Sequence, residues 1–317
     1  MNKKIPVIAV QGPTASGKSA TALAICEKFG GELISCDSMQ IYRRMDIGTA
    51  KPTKEDMARV PHHLIDICEP DEDFSAATFA TAAQSAIADV HSRGKIPVLC
   101  GGTGLYLDSV LRGVDFGELD PDPEYRAELA KFAEENGNEA LHAKLLAIDP
   151  EAAAAIHHNN VKRVIRALEI CKTSGMTKTE WDKKAIQNES PYEATIFALD
   201  YRDRETLYTR IDRRVDEMMA EGLVEEVRSL LADGYLTPES TAGGAIGYKE
   251  LIGYYKGEMS LTEATDAVKL ATRHYAKRQL TWLRRNPAIH WFYPDDYGTK
   301  DELFEAVFTV IENKQTN

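Results

Sequence analysis

Gly12-Pro13-Thr14-Ala15-Ser16-Gly17-Lys18-Ser19 lies between an apolar run, Pro6–Gln11, and a stretch of helical periodicity, Gly17–Phe29. The octet fits G-x-x-x-x-G-K-[ST], and its setting of buried strand, glycine-bearing turn and helix is what gives that pattern meaning. Glycines let backbone N–H groups close around phosphate oxygens, and the helix start adds the positive end of its dipole. Gly12 to Ser19 therefore reads as a phosphate-binding loop in which Lys18 neutralises the terminal phosphate and the Ser19 hydroxyl holds Mg2+. A flexible Gly-Ser turn is the plain alternative, and the strand–loop–helix setting argues against it.

Outward from the loop, the first hundred residues alternate strand and helix. Glu32–Cys36 reads as a second strand, Ser75–Ser92 as a helix closed by Gly94, and Ile96–Cys100 as a third strand. Strands separated by helices imply parallel pairing through right-handed crossovers. After Gly113 the texture changes. Asp120-Pro121-Asp122-Pro123 is a breaker cluster, and the next seventy or so residues show helical periodicity with no convincing strand. Helices are expected at Tyr125–Asn136, Asn138–Ala147, Pro150–Ile156 and Val161–Ser174, until Asn188-Glu189-Ser190-Pro191 closes the stretch. A strand pattern returns at Thr195–Asp200. Helices Glu205–Glu221, Leu223–Asp233 and Leu261–Asn286, a strand Ala288–Tyr293 and a final helix follow. The simplest organisation is an α/β core in two parts, residues 1–117 and 191–317, with a helical subdomain inserted at 118–190.

The composition excludes several classes. Five scattered cysteines, Cys26, Cys36, Cys68, Cys100 and Cys171, form no C-x-x-C pair and have no His pair at metal spacing, so a reducing, cytoplasmic setting is expected. Ile5 to Val10, behind Lys3 and Lys4, is too short for a signal peptide, and the uncharged Phe74–Ala88 falls short of a membrane span. No coiled-coil or dimer stripe is evident, so a monomer is expected. A net charge of −12 argues mildly against a nucleic-acid partner. The charge is unevenly spread, however. No acid occurs from Ala267 to Pro294, where Lys269, Arg273, Lys277, Arg278, Arg284 and Arg285 fall, and Lys162, Arg163 and Arg166 form a second basic set.

A phosphate loop in an ATPase normally works with an acid at the end of a neighbouring strand, which holds Mg2+. Ile96–Cys100 instead runs into Gly101-Gly102-Thr103-Gly104. The acid close behind an apolar strand is Asp37, in Ser35-Cys36-Asp37-Ser38-Met39-Gln40. At the carboxyl edge of the second strand it faces the crevice where ligands bind in open α/β sheets. Metal ligand and proton acceptor are both open to it, as is the cap of the following turn. Gln40 and Met39 beside it could contact a ligand, and a turn-stabilising Gln is equally consistent.

Several blocks beyond the loop carry a resemblance. Asp37 to Gln40, Asp46-Ile47-Gly48-Thr49-Ala50-Lys51-Pro52, Pro61-His62-His63-Leu64-Ile65-Asp66 and Gly101-Gly102-Thr103-Gly104-Leu105-Tyr106 come first. Ala245-Ile246-Gly247-Tyr248-Lys249-Glu250 and Tyr275-Ala276-Lys277-Arg278-Gln279-Leu280-Thr281-Trp282 complete the set. Together, in this order, they resemble the bacterial tRNA dimethylallyltransferase (tRNA isopentenyltransferase) family. The resemblance implies a P-loop NTPase-like parallel sheet with the helical insertion, a loop that holds dimethylallyl diphosphate with Mg2+ in place of ATP, and transfer of the allyl group to the adenosine 3′ of the tRNA anticodon.

Carried over residue by residue, the resemblance makes Asp37 the base, Thr103 a hydroxyl near the reacting centre, and Lys18 and Arg214 groups on the diphosphate, with Arg213 one position away as the alternative to Arg214. It implies tRNA contact by Asp37, Ser38, Met39, Gln40, Thr103, Arg126, Lys162, Arg163, Arg166, Arg273, Lys277 and Arg278, the anticodon stem-loop being the partner. Lys269, Arg273, Lys277 and Arg284 fall near one helix face with no acid interleaved, which favours phosphate contact. His62-His63 and His157-His158 lack helical zinc spacing, and Trp181, Trp282 and Trp291 read as packing residues. A small-molecule kinase and a free-adenylate prenyltransferase are the competing readings. The missing strand-end acid disfavours the first, and the insertion with its basic segments disfavours the second.

Overall fold

The computed structural model describes residues 4–112, 119, 121–185, 189–237 and 240–316. The chain divides into two compact units, Met1–Leu111 with Pro191–Asn317, and Arg112–Ser190. The expected insertion boundary at Glu118, with Asp120 and Asn188 of the flanking breakers, lies outside the described residues.

In chain order the first unit runs β1 (Ile5–Gln11), α1 (Lys18–Phe29), β2 (Gly31–Ser35), α2 (Lys54–Arg59), β3 (His62–His63), α3 (Ala76–Ser92), β4 (Ile96–Gly101) and α4 (Gly104–Leu111). The second unit contributes α5 (Pro123–Asn136), α6 (Asn138–Ile148), α7 (Pro150–Ala155), α8 (Val161–Ser174) and α9 (Lys178–Ala185). The first unit resumes with β5 (Tyr192–Leu199), α10 (Arg204–Glu221), α11 (Leu223–Ala232), α12 (Tyr248–Tyr255), α13 (Leu261–Leu283), β6 (His290–Phe292) and α14 (Lys300–Thr316).

Among the described residues the sheet has six strands in the order β3-β2-β4-β1-β5-β6, every pairing parallel. Strands buried on both faces read as continuous apolar runs, and alternate residues supply the two faces. Val7, Ala9, Ile34, Leu99 and Ala198 meet α3 and α4 through Phe79, Ile87 and Leu107. Ile8, Val10, Leu33, Val98 and Phe197 meet α1 and α14 through Ile25, Val307 and Phe308. Because β2, β4 and β1 are parallel neighbours, the Asp37 turn, the Gly101–Gly104 run and the phosphate loop emerge side by side. A third core seats Ile41, Tyr42 and Met45, which follow β2, on α11 and α12.

The expected elements of the sheet and the long helices are present, with bounds moved by a few residues. Ser75 caps α3 by accepting the Thr78 N–H, and α13 stops at Leu283 where the periodicity had suggested Asn286. Of the elements named above, five were not anticipated. The strand β3 is two residues of histidine, α2, α9 and α12 have six to eight residues, and α4 starts directly from the glycine run. All are too short or too polar for periodicity to mark them.

The second unit has no strand among its described residues. Leu129, Leu141, Leu145, Val164 and Leu168 form its own core. Among its described residues Asp149 and Glu169 are buried acids, and Glu169 accepts from Arg126 Nε at 2.7 Å, Arg166 Nη1 at 2.5 Å and the Asp122 N–H at 2.9 Å. Among the described residues no helix is long and apolar enough to cross a membrane.

Candidate active site

Backbone geometry explains the loop's composition. Gly12 has φ +150°, and a Cβ there would come within 2.6 Å of Ser16 Oγ and 2.8 Å of the Leu199 carbonyl, so no side chain fits. Gly17 at φ +96° ends the loop, and α1 begins with no side-chain cap on its first amides. Those donors stay available for an anion. Ser16 Oγ is buried without a partner among the described residues, a hydroxyl with unmet bonding capacity inside the loop. The Thr14 N–H, in contrast, is already taken: it donates to Gln279 Oε1 at 3.0 Å.

A cavity of about 530 Å³ opens beside the loop, lined by Thr14, Lys18, Ser19, Asp37, Arg214 and Gln279 among others. A second cavity, about 890 Å³, lies across the loop and shares Lys18, Ser19, Lys51 and Arg214 with the first. The loop thus forms part of the partition between them. Burial holds the Lys18 ammonium below its ordinary pKa, and the nearby Arg214 cation lowers it further while Asp37 opposes this. Arg214 is also lowered by burial, and again Asp37 opposes. Two crowded, partly desolvated cations make a site that favours an anion of at least two charges. Arg213 lines the second cavity but not the first, bonds Glu217 at 2.7 Å and has a side chain that is 80% exposed. Of the two, Arg214 is the one that shares the first cavity with Lys18.

Asp37 uses Oδ1 to accept the Met39 N–H at 2.9 Å, closing an Asx-type turn. Asp37 lines the cavity, and among the described residues Oδ2 accepts no hydrogen bond. Thr103 does not line the cavity. Its Oγ1 accepts the Ser38 N–H at 3.2 Å and fastens the Asp37 turn to the loop after β4. Gln40 is also committed, accepting from Ser35 Oγ at 2.9 Å and donating to the Thr49 and Ala50 carbonyls at 3.2 Å. These bonds support the turn-stabilising reading, and Gln40 also lines the cavity. Met39 packs on the third core.

The acid-free basic stripe on α13 requires correction. Lys269 pairs with Asp216 at 2.5 Å, Arg273 Nε donates to Asp212 Oδ1 at 2.8 Å, and Arg284 pairs with Asp200 at 3.1 Å. The acids come from α10 and the end of β5, far away in sequence. Lys277 has no acidic partner among the described residues, and Arg278 lines the cavity beside Tyr275. Arg126 and Arg166 are likewise held by Glu169, whereas Lys162 and Arg163 are exposed on α8.

Sequence reasoning passed over residues that the structure brings to the site. Val268, Thr272, Tyr275 and Gln279 line the cavity from one face of α13. Their spacings of four, three and four were legible, but the charged residues of the same helix drew the reading to another face. Burial pushes the Tyr275 hydroxyl up to about 12, so it stays protonated and able to donate. Glu226 was also missed. It accepts the N–H groups of Asp46, Ile47 and Gly48 at 2.8 to 3.1 Å and the Tyr248 hydroxyl at 2.6 Å, and so holds the segment that carries Gly48 to Pro52 to the cavity.

The model of the IPP transferase family matches residues 40–286. The chain belongs to this family. It is 45% identical over 311 residues to the tRNA dimethylallyltransferase of Caldanaerobacter subterraneus subsp. tengcongensis, covering 98% of both chains. A crystal structure of the full-length tRNA isopentenylpyrophosphate transferase from Bacillus halodurans is similar, with a TM-score of 0.74 and 45% identity over 98% of this chain and 97% of that one. A eukaryotic dimethylallyltransferase acting on tRNA shares the fold at a TM-score of 0.78 and 30% identity, over 91% of this chain and 74% of that one.

The glycines where an ATPase carries its metal-binding acid have a structural cause in this chain. A Cβ at Gly101 would strike the Cys36 backbone, one at Gly102 the Gln279 amide, and one at Gly104 the Trp282 indole. The end of β4 is covered by α13, and Trp282 Nε1 donates to Asp108 at 3.0 Å to hold the helix there.

Proposed function

We propose that this chain transfers the dimethylallyl group of dimethylallyl diphosphate to the exocyclic amine of the adenosine 3′ to the tRNA anticodon, releasing diphosphate. The observation that carries the reading is the convergence of Lys18, Arg214 and the Asp37 carboxylate on one cavity whose β4 edge is glycine and has no acid. Two cations suit a diphosphate, and a carboxylate across from them suits a nucleophile that must lose a proton.

The amine of adenine is a poor nucleophile because its lone pair is delocalised into the ring. Asp37 Oδ2 accepts one amine proton as the new C–N bond forms. The allylic C–O bond breaks and its electron pair leaves with the diphosphate, whose growing charge faces Lys18, Arg214 and the free amides of the loop. A base inside a helical stack cannot reach this cavity, so the target adenosine is flipped out of the anticodon loop.

Mg2+ fits the residues present. Among the described residues no group of three His, Cys, Asp or Glu side chains could hold a metal, but Ser19 and Asp37 offer hard oxygens to the same cavity. Mg2+ is commonly bound through one or two protein oxygens together with substrate phosphates. Ser19 would hold it, and when bound it would neutralise part of the diphosphate charge.

The helical unit, with Lys162 and Arg163 exposed and Arg126 and Arg166 half-exposed around Glu169, supplies the contact with the anticodon stem-loop in this reading. Lys277 and Arg278 add phosphate contacts from α13. The ion pairs sharpen the expectation for that helix. Lys277→Ala should flatten the salt dependence of tRNA binding by about one unit of slope. Arg273→Ala should leave the slope unchanged and lower thermal stability, since its charge is already spent on Asp212. Binding titrations at several salt concentrations with a melting curve for each variant decide the matter, and an equal loss of slope in both variants refutes the distinction.

The reading as a whole is tested by donor choice. With Mg2+ present, dimethylallyl diphosphate should raise the melting temperature clearly and ATP only slightly. Incubation with unmodified tRNA and the allylic donor should add the mass of one dimethylallyl group, less a proton, to adenosine. Robust ATP hydrolysis without that product would establish the kinase reading instead.

A further inference from the structure

Gln279 makes a connection that the reaction scheme above does not use. It is 6% exposed and is the most C-terminal of the α13 residues that face the cavity. Its Oε1 accepts the Thr14 N–H of the phosphate loop at 3.0 Å, and its Nε2 donates to the Gly102 carbonyl at 3.0 Å. Gly102 leads into Thr103, whose Oγ1 accepts the Ser38 N–H next to Asp37. Tyr275, one turn earlier on α13, lines the same cavity. A continuous path therefore runs from the loop that holds the leaving group, through one carboxamide, to the turn that holds the base. Gly102 is the partner this contact requires, because any side chain there would occupy the place of the Gln279 amide.

We propose that Gln279 is a positioning residue that fixes the phosphate loop against the Asp37 turn and so sets the distance between the breaking C–O bond and the attacking amine. The inference rests on the prenyl-transfer reading and deepens it. A carboxamide suits the task because it offers one acceptor and one donor in a rigid plane, matched to one N–H and one carbonyl. Neither bond is to substrate, so Gln279 leaves substrate affinity to other residues. It acts on alignment, where an error of about 1 Å can cost about a hundredfold in rate.

The test uses the full-length chain with Mg2+, dimethylallyl diphosphate and unmodified tRNA. Gln279→Leu keeps the approximate bulk and removes both bonds, whereas Gln279→Glu keeps the acceptor and loses the donor. The single-turnover rate at saturating substrates should fall about 10- to 100-fold in Gln279→Leu and by an intermediate amount in Gln279→Glu. The dissociation constants of donor and tRNA should stay within about threefold of wild type, as expected for a group that acts only on the chemical step. A Gln279→Leu rate within about threefold of wild type, or a loss explained entirely by weaker donor binding, overturns the inference. So does failure of both variants to fold, which would make the side chain a packing element. A wild-type protein that transfers no allyl group overturns the functional reading and this inference together. An active wild type with an unaffected Gln279→Leu overturns the inference alone.

Discussion

Asp37→Asn should lower the single-turnover rate of allyl transfer by about 10²–10⁴-fold, the usual worth of a general base, while both substrates still bind. The structure makes this substitution unusually clean. Asp37 Oδ1 accepts the Met39 N–H at 2.9 Å, and the Oδ1 of an asparagine accepts the same bond, so the turn and its neighbours stay in place. What is lost is the ability of Oδ2 to take a proton. Donor affinity should hold, since Lys18, Arg214 and the α1 amides carry it. Three roles are separated by measuring rate, donor affinity and stability on this one variant. A metal ligand would lose donor affinity and its Mg2+ dependence together. A mere turn residue would leave the rate within a few-fold of wild type. Asp37→Ala completes the comparison: it should lose the rate and also about 1 kcal/mol of stability, the net worth of one ordinary hydrogen bond.

Arg214→Ala should reduce the rate by about 10²–10³-fold, comparable to removal of one donor aimed at a developing oxyanion, and should weaken donor binding as well. Arg213→Ala should change either quantity by no more than about threefold, because an exposed i,i+4 pair such as Arg213–Glu217 is worth at most about 1 kcal/mol. The contrast follows from burial. Arg214 is half-buried beside Lys18 and Asp37, whereas the Arg213 side chain is 80% exposed on the next position of the same helix. Arg214→Lys is informative too: a compact ammonium keeps the charge without the planar fork, so partial activity is expected. Equal losses in Arg213→Ala and Arg214→Ala would show that α10 acts through net charge and that the position of the guanidinium is immaterial.

Much of the site was legible from the chain alone, for reasons that are local. The run Pro6–Gln11 followed by Gly12 to Ser19 states a buried strand, a turn that needs glycine and a helix start within fourteen residues. The observed β1, φ angles and uncapped α1 are the direct expression of that code. Asp37 at the end of β2 was legible for the same reason, because strand direction in an alternating β/α sequence puts every strand's carboxyl end at one edge. The strandless texture of the inserted residues was equally visible in their periodicity.

Tertiary structure decided how the polar side chains are spent. A helical period reports which face of α13 is apolar, but not that Asp212, Asp216 and Asp200 stand opposite Arg273, Lys269 and Arg284. Nor could spacing show that Gln40 is consumed by Ser35, Thr49 and Ala50, or that Glu226 reaches back about 180 residues to the Asp46–Gly48 amides. The bond from Gln279 to Thr14 spans 265 residues. Local sequence fixes backbone conformation through sterics and the hydrophobic period, both of which act over a few residues. A hydrogen bond or ion pair is fixed only when two distant elements come within about 3 Å, and that distance is set by the packing of the whole sheet and its helices.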